Sequence, residues 1–230
     1  MIGRKVKITG TVQGVGFRPH VFRLANQTQL AGYVVNRGAD VEIFVQGCSS
    51  DVQYFVKGLQ FELPLLANID TIICENSDVI PGLKKFSIYP SFNAAHSAVK
   101  VADYAICKRC LAEFNHPENH RFQYAFISCT ECGPRYSILK QYPLDRKNTS
   151  YRNFVMCQQC RKEYEDPENR RFHAQNMSCS ACGPGFYLSY NNTRLTDENA
   201  ALDHCCRSLA AGKIVCVKGI SGYRLVCDAR

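Results

Sequence analysis

Long apolar runs are missing from this sequence. No stretch of eighteen or more apolar residues occurs among its 230 residues, so no membrane-spanning helix is expected. The basic opening M-I-G-R-K-V-K-I is not followed by an apolar core and a small-residue cleavage site. It does not read as a secretory leader, and a cytosolic location is expected. A dense basic arm is missing too. The net charge is +8, but its Lys and Arg are spread along the chain. Such a spread suits small anions about as well as nucleic acid. In the cysteine-rich middle, Glu113, Glu118, Glu163, Glu165, Asp166 and Glu168 interrupt the cations. A nucleic-acid-reading surface usually clusters Lys and Arg with exposed aromatics, so no nucleic-acid partner is expected.

Cysteine, by contrast, is plentiful, with fourteen in the chain. Eight of them form a pattern. Cys107 and Cys110 are followed, after 18 residues, by Cys129 and Cys132. Cys157 and Cys160 are followed, again after 18 residues, by Cys179 and Cys182, so the second unit repeats the first at an offset of 50. The echo extends to P-E-N-H-R-F at 117–122 against P-E-N-R-R-F at 167–172, and to S-C-x-x-C-G-P at 128–134 and 178–184. Each C-x-x-C turn presents two thiolates, and two such turns complete a tetrahedral zinc shell. Two closed structural zinc sites are expected, with disulfide-bonded loops as the alternative. Sequential pairing within each unit is the preferred arrangement, and a nested pairing of outer and inner turns stays open. His116, His120 and His173 lie in this region and read as surface residues, because thiolates already fill the shells. Of the other six cysteines, Cys74 and Cys216 sit in apolar runs, where a free thiol behaves as a small hydrophobe. None has a histidine base beside it in sequence, and no thiol nucleophile is expected.

The first ninety residues read as strand, helix, strand, strand, helix, strand. Lys5–Val12 alternates as a half-buried strand does. Pro19 suits a first helical turn, and Val21, Leu24 and Ala25 keep an apolar face. Gly32 reads as the end of that helix. Tyr33–Asn36 and Val41–Gln46 flank a turn at Arg37–Asp40 and predict a hairpin. Asp51 reads as the cap of a second helix reaching Leu59, and Ile69–Cys74 and Phe86–Tyr89 supply further strands. This βαββαβ order is the ferredoxin-like, α+β arrangement.

The turn between first strand and first helix carries the chemistry. Gly14 and Gly16 allow a sharp backbone turn with inward amides, and such a concavity at a helix start binds anions. Arg18 adds a permanently charged fork that matches two phosphate oxygens. Pro19 stands where a dinucleotide fingerprint needs its third glycine, so that motif is excluded. Asn36 ends the hairpin's first strand and can turn an amide toward the same place. An amide orients a water but is a poor base, which suffices only for a substrate with a good leaving group, such as an acyl phosphate. The plain alternatives are a tight turn with a solvated arginine and an ordinary turn asparagine.

The stretch V-Q-G-V-G-F-R at 12–18, with G-Y-V-V-N at 32–36 and V-E-I-F-V-Q-G at 41–47, resembles the acylphosphatase family over residues 1–91. The resemblance implies that Arg18 binds phosphate, that Asn36 orients the attacking water, and that the backbone of Gln13, Gly14, Val15, Gly16, Phe17 and Arg18 forms the anion loop. It implies neither metal nor covalent intermediate in the reaction. The same domain followed by two C-x2-C-x18-C-x2-C units over 92–190 (107–132 and 157–182) resembles the N-terminal part of the hydrogenase maturation carbamoyltransferases, the HypF family. G-V-G-F-R-P-H-V-F-R-L-A at 14–25 fits that family better than free acylphosphatase. Residues 197–230 look like the truncated start of its α/β YrdC-like nucleotide-binding domain. There a helix over Asn199–Ala211, a strand Ile214–Val217 and a K-G-x-x-G turn are expected. Lys218 could meet a phosphate of a nucleotide, although a solvated lysine reads as well.

The family resemblance implies a sequence of steps. Carbamoyl phosphate is hydrolysed at the acylphosphatase site, the carbamate is adenylated with ATP, and the carbamoyl group passes to the partner HypE to become a cyanide ligand of a nickel–iron hydrogenase. Only the first step has all its residues in this sequence. The chain reads as a fragment or one part of a split gene, with 197–230 poorly packed and the complete ATP-dependent transfer not expected of it. The rival class is a zinc-finger nucleic-acid-binding or scaffold protein with a non-catalytic first domain.

Overall fold

A computed structural model describes residues 1–92 and 102–229. Its first domain is a five-stranded sheet with two helices. Strands β1 (Ile2–Thr11), β2 (Ala31–Arg37), β3 (Asp40–Gly47), β4 (Asn68–Ser77) and β5 (Phe86–Ile88) stand in the order β4-β1-β3-β2-β5. β1 pairs antiparallel with β3 and β4, β3 pairs antiparallel with β2, and the short β5 adds parallel to β2. Helices α1 (Phe17–Gln27) and α2 (Ser49–Gly58) connect them. Val6 faces Ile43 and Ile8 faces Val41 across the β1–β3 ladder. These four, with Val34 and Val45, meet Val21 and Ala25 of α1 and Val52 and Phe55 of α2 in one core. Each such side chain taken from water contributes about 1.5–3 kcal/mol. The expected βαββαβ framework is present, and a two-residue turn, Gly38-Ala39, closes the β2–β3 hairpin with Arg37 paired to Asp40.

Two local expectations are corrected. Gly32 does not end α1; it lies inside β2, and Gln29 takes the left-handed conformation after the helix with φ 52°. Asp51 is not a cap either. Cys48 stands at the N-cap of α2, and Asp51 falls in the first turn, where a carboxylate still complements the helix dipole.

The second domain is built around its cysteines. In each repeat the first C-x-x-C opens a short helix, α3 (Lys108–Asn115) or α4 (Gln158–Glu165). The Cys107 Sγ accepts the Cys110 amide at 3.4 Å and the Cys157 Sγ accepts the Cys160 amide at 3.5 Å, so a sulfur serves as the cap. Three 3-10 turns, Tyr136–Ile138, Arg146–Asn148 and Ser150–Asn153, fold the connection between the repeats. After the second repeat come a small hairpin, β6 (Leu188–Tyr190) with β7 (Thr193–Leu195), helix α5 (Glu198–Ala210) and a second hairpin, β8 (Val215–Gly219) with β9 (Gly222–Val226). Asp197 caps α5 by accepting the Ala200 amide at 2.7 Å. This tail keeps much apolar surface in water: Ile214, Tyr223 and Leu225 are 67%, 71% and 74% exposed. Cys74, on edge strand β4, and Cys216, on β8, are exposed rather than buried among apolar neighbours, because one face of each strand is uncovered.

The two domains touch through α1 and the glycine turn. The rings of Phe22 and Phe172 lie 5.4 Å apart, and Arg23 donates to the Pro167 carbonyl at 3.0 Å.

Candidate functional site

The turn from β1 to α1 has the conformation that its glycines permit. Gly14 and Gly16 have φ 70° and 80°, the left-handed region that costs a side-chain-bearing residue about 1–2 kcal/mol. Gly16 is the N-cap of α1, which places Phe17 and Arg18 in the first helical turn. The Gln13 amide nitrogen donates to the carbonyls of Gly38 at 2.8 Å and Asp40 at 3.3 Å. The turn is thereby tied to the hairpin that carries Asn36. Asn36 itself is fully buried, and neither its amide oxygen nor its nitrogen has a partner among the described residues. A buried amide of this kind costs roughly 1–3 kcal/mol unless something pairs with it, so it points to a guest.

Arg18 is held from two directions. Nη1 donates to Ser91 Oγ at 3.2 Å and Nη2 forms an ion pair with Asp145 Oδ1 at 2.8 Å. Ser91 precedes Phe92, whose amide donates to the Asn36 carbonyl at 3.0 Å, so the arginine and the asparagine are linked through two consecutive residues. A guanidinium has five N–H donors, and these bonds leave three for an anion.

The cysteine-rich domain roofs the turn. Leu144 and Thr130 pack over Gly14 and Gly16; a Cβ on Gly14 would lie 2.2 Å from Leu144 Cδ2. The buried Arg135 donates from Nε to the Gly14 carbonyl at 2.9 Å. Beside Arg18 a cleft of about 280 Å³ opens, with Tyr89, Lys147, Tyr164, His173 and Gln175 in its walls. Burial pushes the pKa of His173 down to about 4, and the Arg18 charge adds to this against a smaller opposite pull from Asp145. His173 is thus a neutral imidazole packed against Tyr164 and Phe172, not the expected surface residue. His120 is likewise packed in, with Nε2 buried, whereas His116 is exposed as expected. The repeat folds back on itself and encloses both rings.

The eight patterned cysteines gather as 107, 110, 129 and 132 in one cluster and 157, 160, 179 and 182 in the other. The Sγ atoms of Cys107 and Cys129 lie 3.8 Å apart, and those of Cys129 and Cys132 3.7 Å. In the second cluster the Cys157–Cys179 and Cys179–Cys182 separations are both 3.7 Å. Four thiolates at a Zn–S distance of about 2.3 Å would stand ~3.8 Å from one another, so each cluster fits a tetrahedral zinc ion.

The clusters brace each other. Arg121, in the first repeat, donates to Glu163, to Cys160 Sγ at 3.3 Å and to the Ser178 carbonyl at 2.9 Å, all in the second. Fifty residues on, Arg171 returns the pattern to Glu113, to Cys110 Sγ at 3.6 Å and to the Ser128 carbonyl at 3.0 Å. Arg170 adds a further bond to Cys110 Sγ at 3.2 Å; its counterpart in the first repeat is His120.

Lys218 is apart from all of this. It sits in β8, exposed, with Nζ 5.7 Å from the ring centre of Tyr223. Sequence reading missed Ser91, Arg135 and Asp145. They are too far along the chain from Arg18 for any local spacing to connect them.

Residues 4–88 match the acylphosphatase family, and residues 106–139 and 156–189 each match the HypF finger. The acylphosphatase of Bacillus subtilis is 35% identical over 89 residues, covering 97% of that protein and 38% of this chain. The probable carbamoyltransferase HypF of Methanocaldococcus jannaschii is 46% identical over 225 residues, covering 97% of this chain and 29% of that one. A crystal structure of full-length HypF in its phosphate- and nucleotide-bound form superposes with a TM-score of 0.90 at 38% identity, covering 99% of this chain and 30% of that one. The chain thus spans less than a third of the length of these HypF proteins. A glycine cradle under a duplicated finger, matched in order and in fold across nearly the whole chain, makes this sequence a member of the HypF carbamoyltransferase family with an acylphosphatase-family domain at its start.

Proposed function

We propose that this chain carries the acyl-phosphate-hydrolysing station of a hydrogenase maturation carbamoyltransferase, with carbamoyl phosphate as its substrate. The observation that carries the reading is the unpartnered amide of fully buried Asn36, on a hairpin tied by Gln13 to the glycine turn beside Arg18. The inward amides of residues 13–18 and the free donors of Arg18 take the phosphoryl oxygens. The Asn36 amide holds a water in line with the phosphorus. The water oxygen forms a bond to phosphorus, the bond from phosphorus to the carbamoyl oxygen breaks, and phosphate and carbamate leave. Charge building on the phosphoryl group is met by donors already in place, the term that dominates such sites. His173 stays neutral in the adjoining cleft and adds no competing charge.

Each cysteine cluster would hold one zinc ion through its four thiolates. Each ion would close one finger repeat on itself, and four thiolates would leave no open coordination position for substrate. Their role is to fix the roof over the cradle, a scaffold function inside the enzyme. In a HypF-type protein the carbamate is then adenylated with ATP and transferred to a HypE-type partner, and Lys218 belongs to the nucleotide-binding part of that scheme. No helix among the described residues is long and apolar enough to cross a membrane.

The test is phosphate release from carbamoyl phosphate by the zinc-loaded chain, beside Arg18→Ala and Asn36→Ala. Activity that both substitutions abolish supports the reading. A zinc-loaded, folded chain that releases no phosphate refutes it.

A further inference from the structure

The cradle works only with its amides facing inward, and glycine does little to hold them so. A residue without Cβ lets its peptide plane turn at small cost. We infer that Arg135, carried by the finger domain, is the positioning residue that sets the peptide plane between Gly14 and Val15; this deepens the hydrolase reading and rests on it.

A trans peptide points its C=O and its N–H in opposite directions. The Gly14 carbonyl is taken by Arg135 Nε at 2.9 Å, on the finger side of the turn. The Val15 N–H is therefore turned away from the fingers' arginine and toward the anion loop. The hold is a charge-assisted bond, about twice as strong as a neutral one. Leu144 packs over the same glycine and leaves little space for the plane to turn.

Arg135 can act this way because it is itself immobile. It is 2% exposed. Nη1 donates to the Gly133 carbonyl at 2.8 Å, and Nη2 to those of Cys129 at 3.1 Å and Thr130 at 2.7 Å. Among the described residues the guanidinium donates only to backbone carbonyls, while the amide of the same residue is held by Asp103 Oδ1 at 2.7 Å. The Tyr104 ring lies 5.4 Å from its Cζ. Burying a guanidinium that forms no ion pair among the described residues is costly, and burial outweighs the nearby Cys129, Cys132 and Asp103 to lower its pKa, which argues for a specific use. Three of those carbonyls belong to the knuckle of the first cysteine cluster. One guanidinium thus ties the backbone around Cys129–Gly133 to the backbone of the anion loop.

The experiment uses the full zinc-loaded chain with Arg135→Met and Arg135→Lys, beside Arg18→Ala. It reads kcat and KM for carbamoyl phosphate, the Kd for inorganic phosphate, and the response of the Val15 amide in ¹⁵N spectra to added phosphate. Losing one preorganised donor costs roughly 10²–10³ in kcat elsewhere. A displaced donor should cost Arg135→Met about tenfold or more in kcat/KM, and should abolish the Val15 response. Arg135→Lys, which keeps the charge and one donor group, should recover part of both. Arg135→Met that matches the wild-type chain within about twofold, with a normal Val15 response, overturns the role of Arg135 while leaving the hydrolase reading intact. A wild-type chain that neither binds phosphate nor releases it sinks both. Should Arg135→Met fail to fold, the wild-type protein still decides. Its Val15 amide must shift on phosphate addition, and a Val15 amide indifferent to bound phosphate overturns the inference.

Discussion

The reciprocal bracing of the fingers makes a prediction that runs against intuition: a substitution in one repeat should loosen the metal in the other. Arg121→Met is the sharp case. Its side chain is fully buried, and it supplies Cys160 Sγ, Glu163 and the Ser178 carbonyl with donors. Methionine fills much of the volume and supplies none. The Glu163 carboxylate, 19% exposed, then keeps only long contacts, with Arg171 at 4.0 Å and His120 at 3.9 Å. Removing one partner of a buried pair costs about 3–5 kcal/mol. Because Glu163 keeps some contact with water, the lower end applies, about 3 kcal/mol. In a chain of this size that is a fall of roughly 6–12 °C in Tm. Partners that hydrogen-bond a metal ligand are worth about 10–100-fold in affinity, so zinc at Cys157, Cys160, Cys179 and Cys182 should be lost at that much lower chelator strength. The assay is a chelator challenge with thiol alkylation, mapped peptide by peptide. The second-repeat cysteines should become reactive first. Arg171→Met should do the reverse, and more mildly, because Arg170 still serves Cys110 at 3.2 Å while position 120 offers only histidine. Alkylation beginning at Cys107–Cys132 in Arg121→Met, or no change in either, would refute the bracing argument.

Three further outcomes are expected. His173 titrates near 4 in the folded chain against 6.5 ordinarily. The unfolded chain takes the proton first, so this contribution is complete above pH 6.5 and is lost as pH falls toward 4; His173→Asn should lose less Tm than the wild-type chain across that window. Gly14→Ala combines a φ of 70° with a Cβ 2.2 Å from Leu144 Cδ2 and should cost about 2–4 kcal/mol in chemical unfolding, of which Leu144→Ala should return only the packing share. Phe55→Ala, in the core under the sheet, should cost about 3–5 kcal/mol and leave zinc content unchanged in the protein that remains folded.

Much of this molecule was legible in its sequence, for reasons that are local. The C-x-x-C spacing is a short-range code, and the repeat at an offset of 50 favoured pairing within each unit while leaving a nested pairing open; the structure groups the cysteines within each unit. The β-rich runs of β2 and β3 and the turn between them predicted the hairpin that carries Asn36. Where the reading failed, geometry had more than one local solution. Gln29 took the left-handed turn expected of Gly32, and Cys48 stood where Asp51 was expected. The roof was illegible altogether. Asp145 contacts Arg18 across 127 positions, and Arg135 contacts Gly14 across 121. No periodicity links residues that meet only because two separately folded cores dock.

That docking has a mechanical side. Gly14 and Gly16 leave two dents in the surface of the sheet domain, and Leu144 and Thr130 sit in them. Filled dents register one body on another, as pins do. A slide of one methyl width would lift Leu144 from Gly14 and break the Arg135 bond at once. Interiors packed in this way shift between discrete arrangements rather than deform smoothly. The boundary between the sheet and the fingers is therefore a poor hinge, and traffic to and from Arg18 is left to the open cleft between Tyr89 and Lys147.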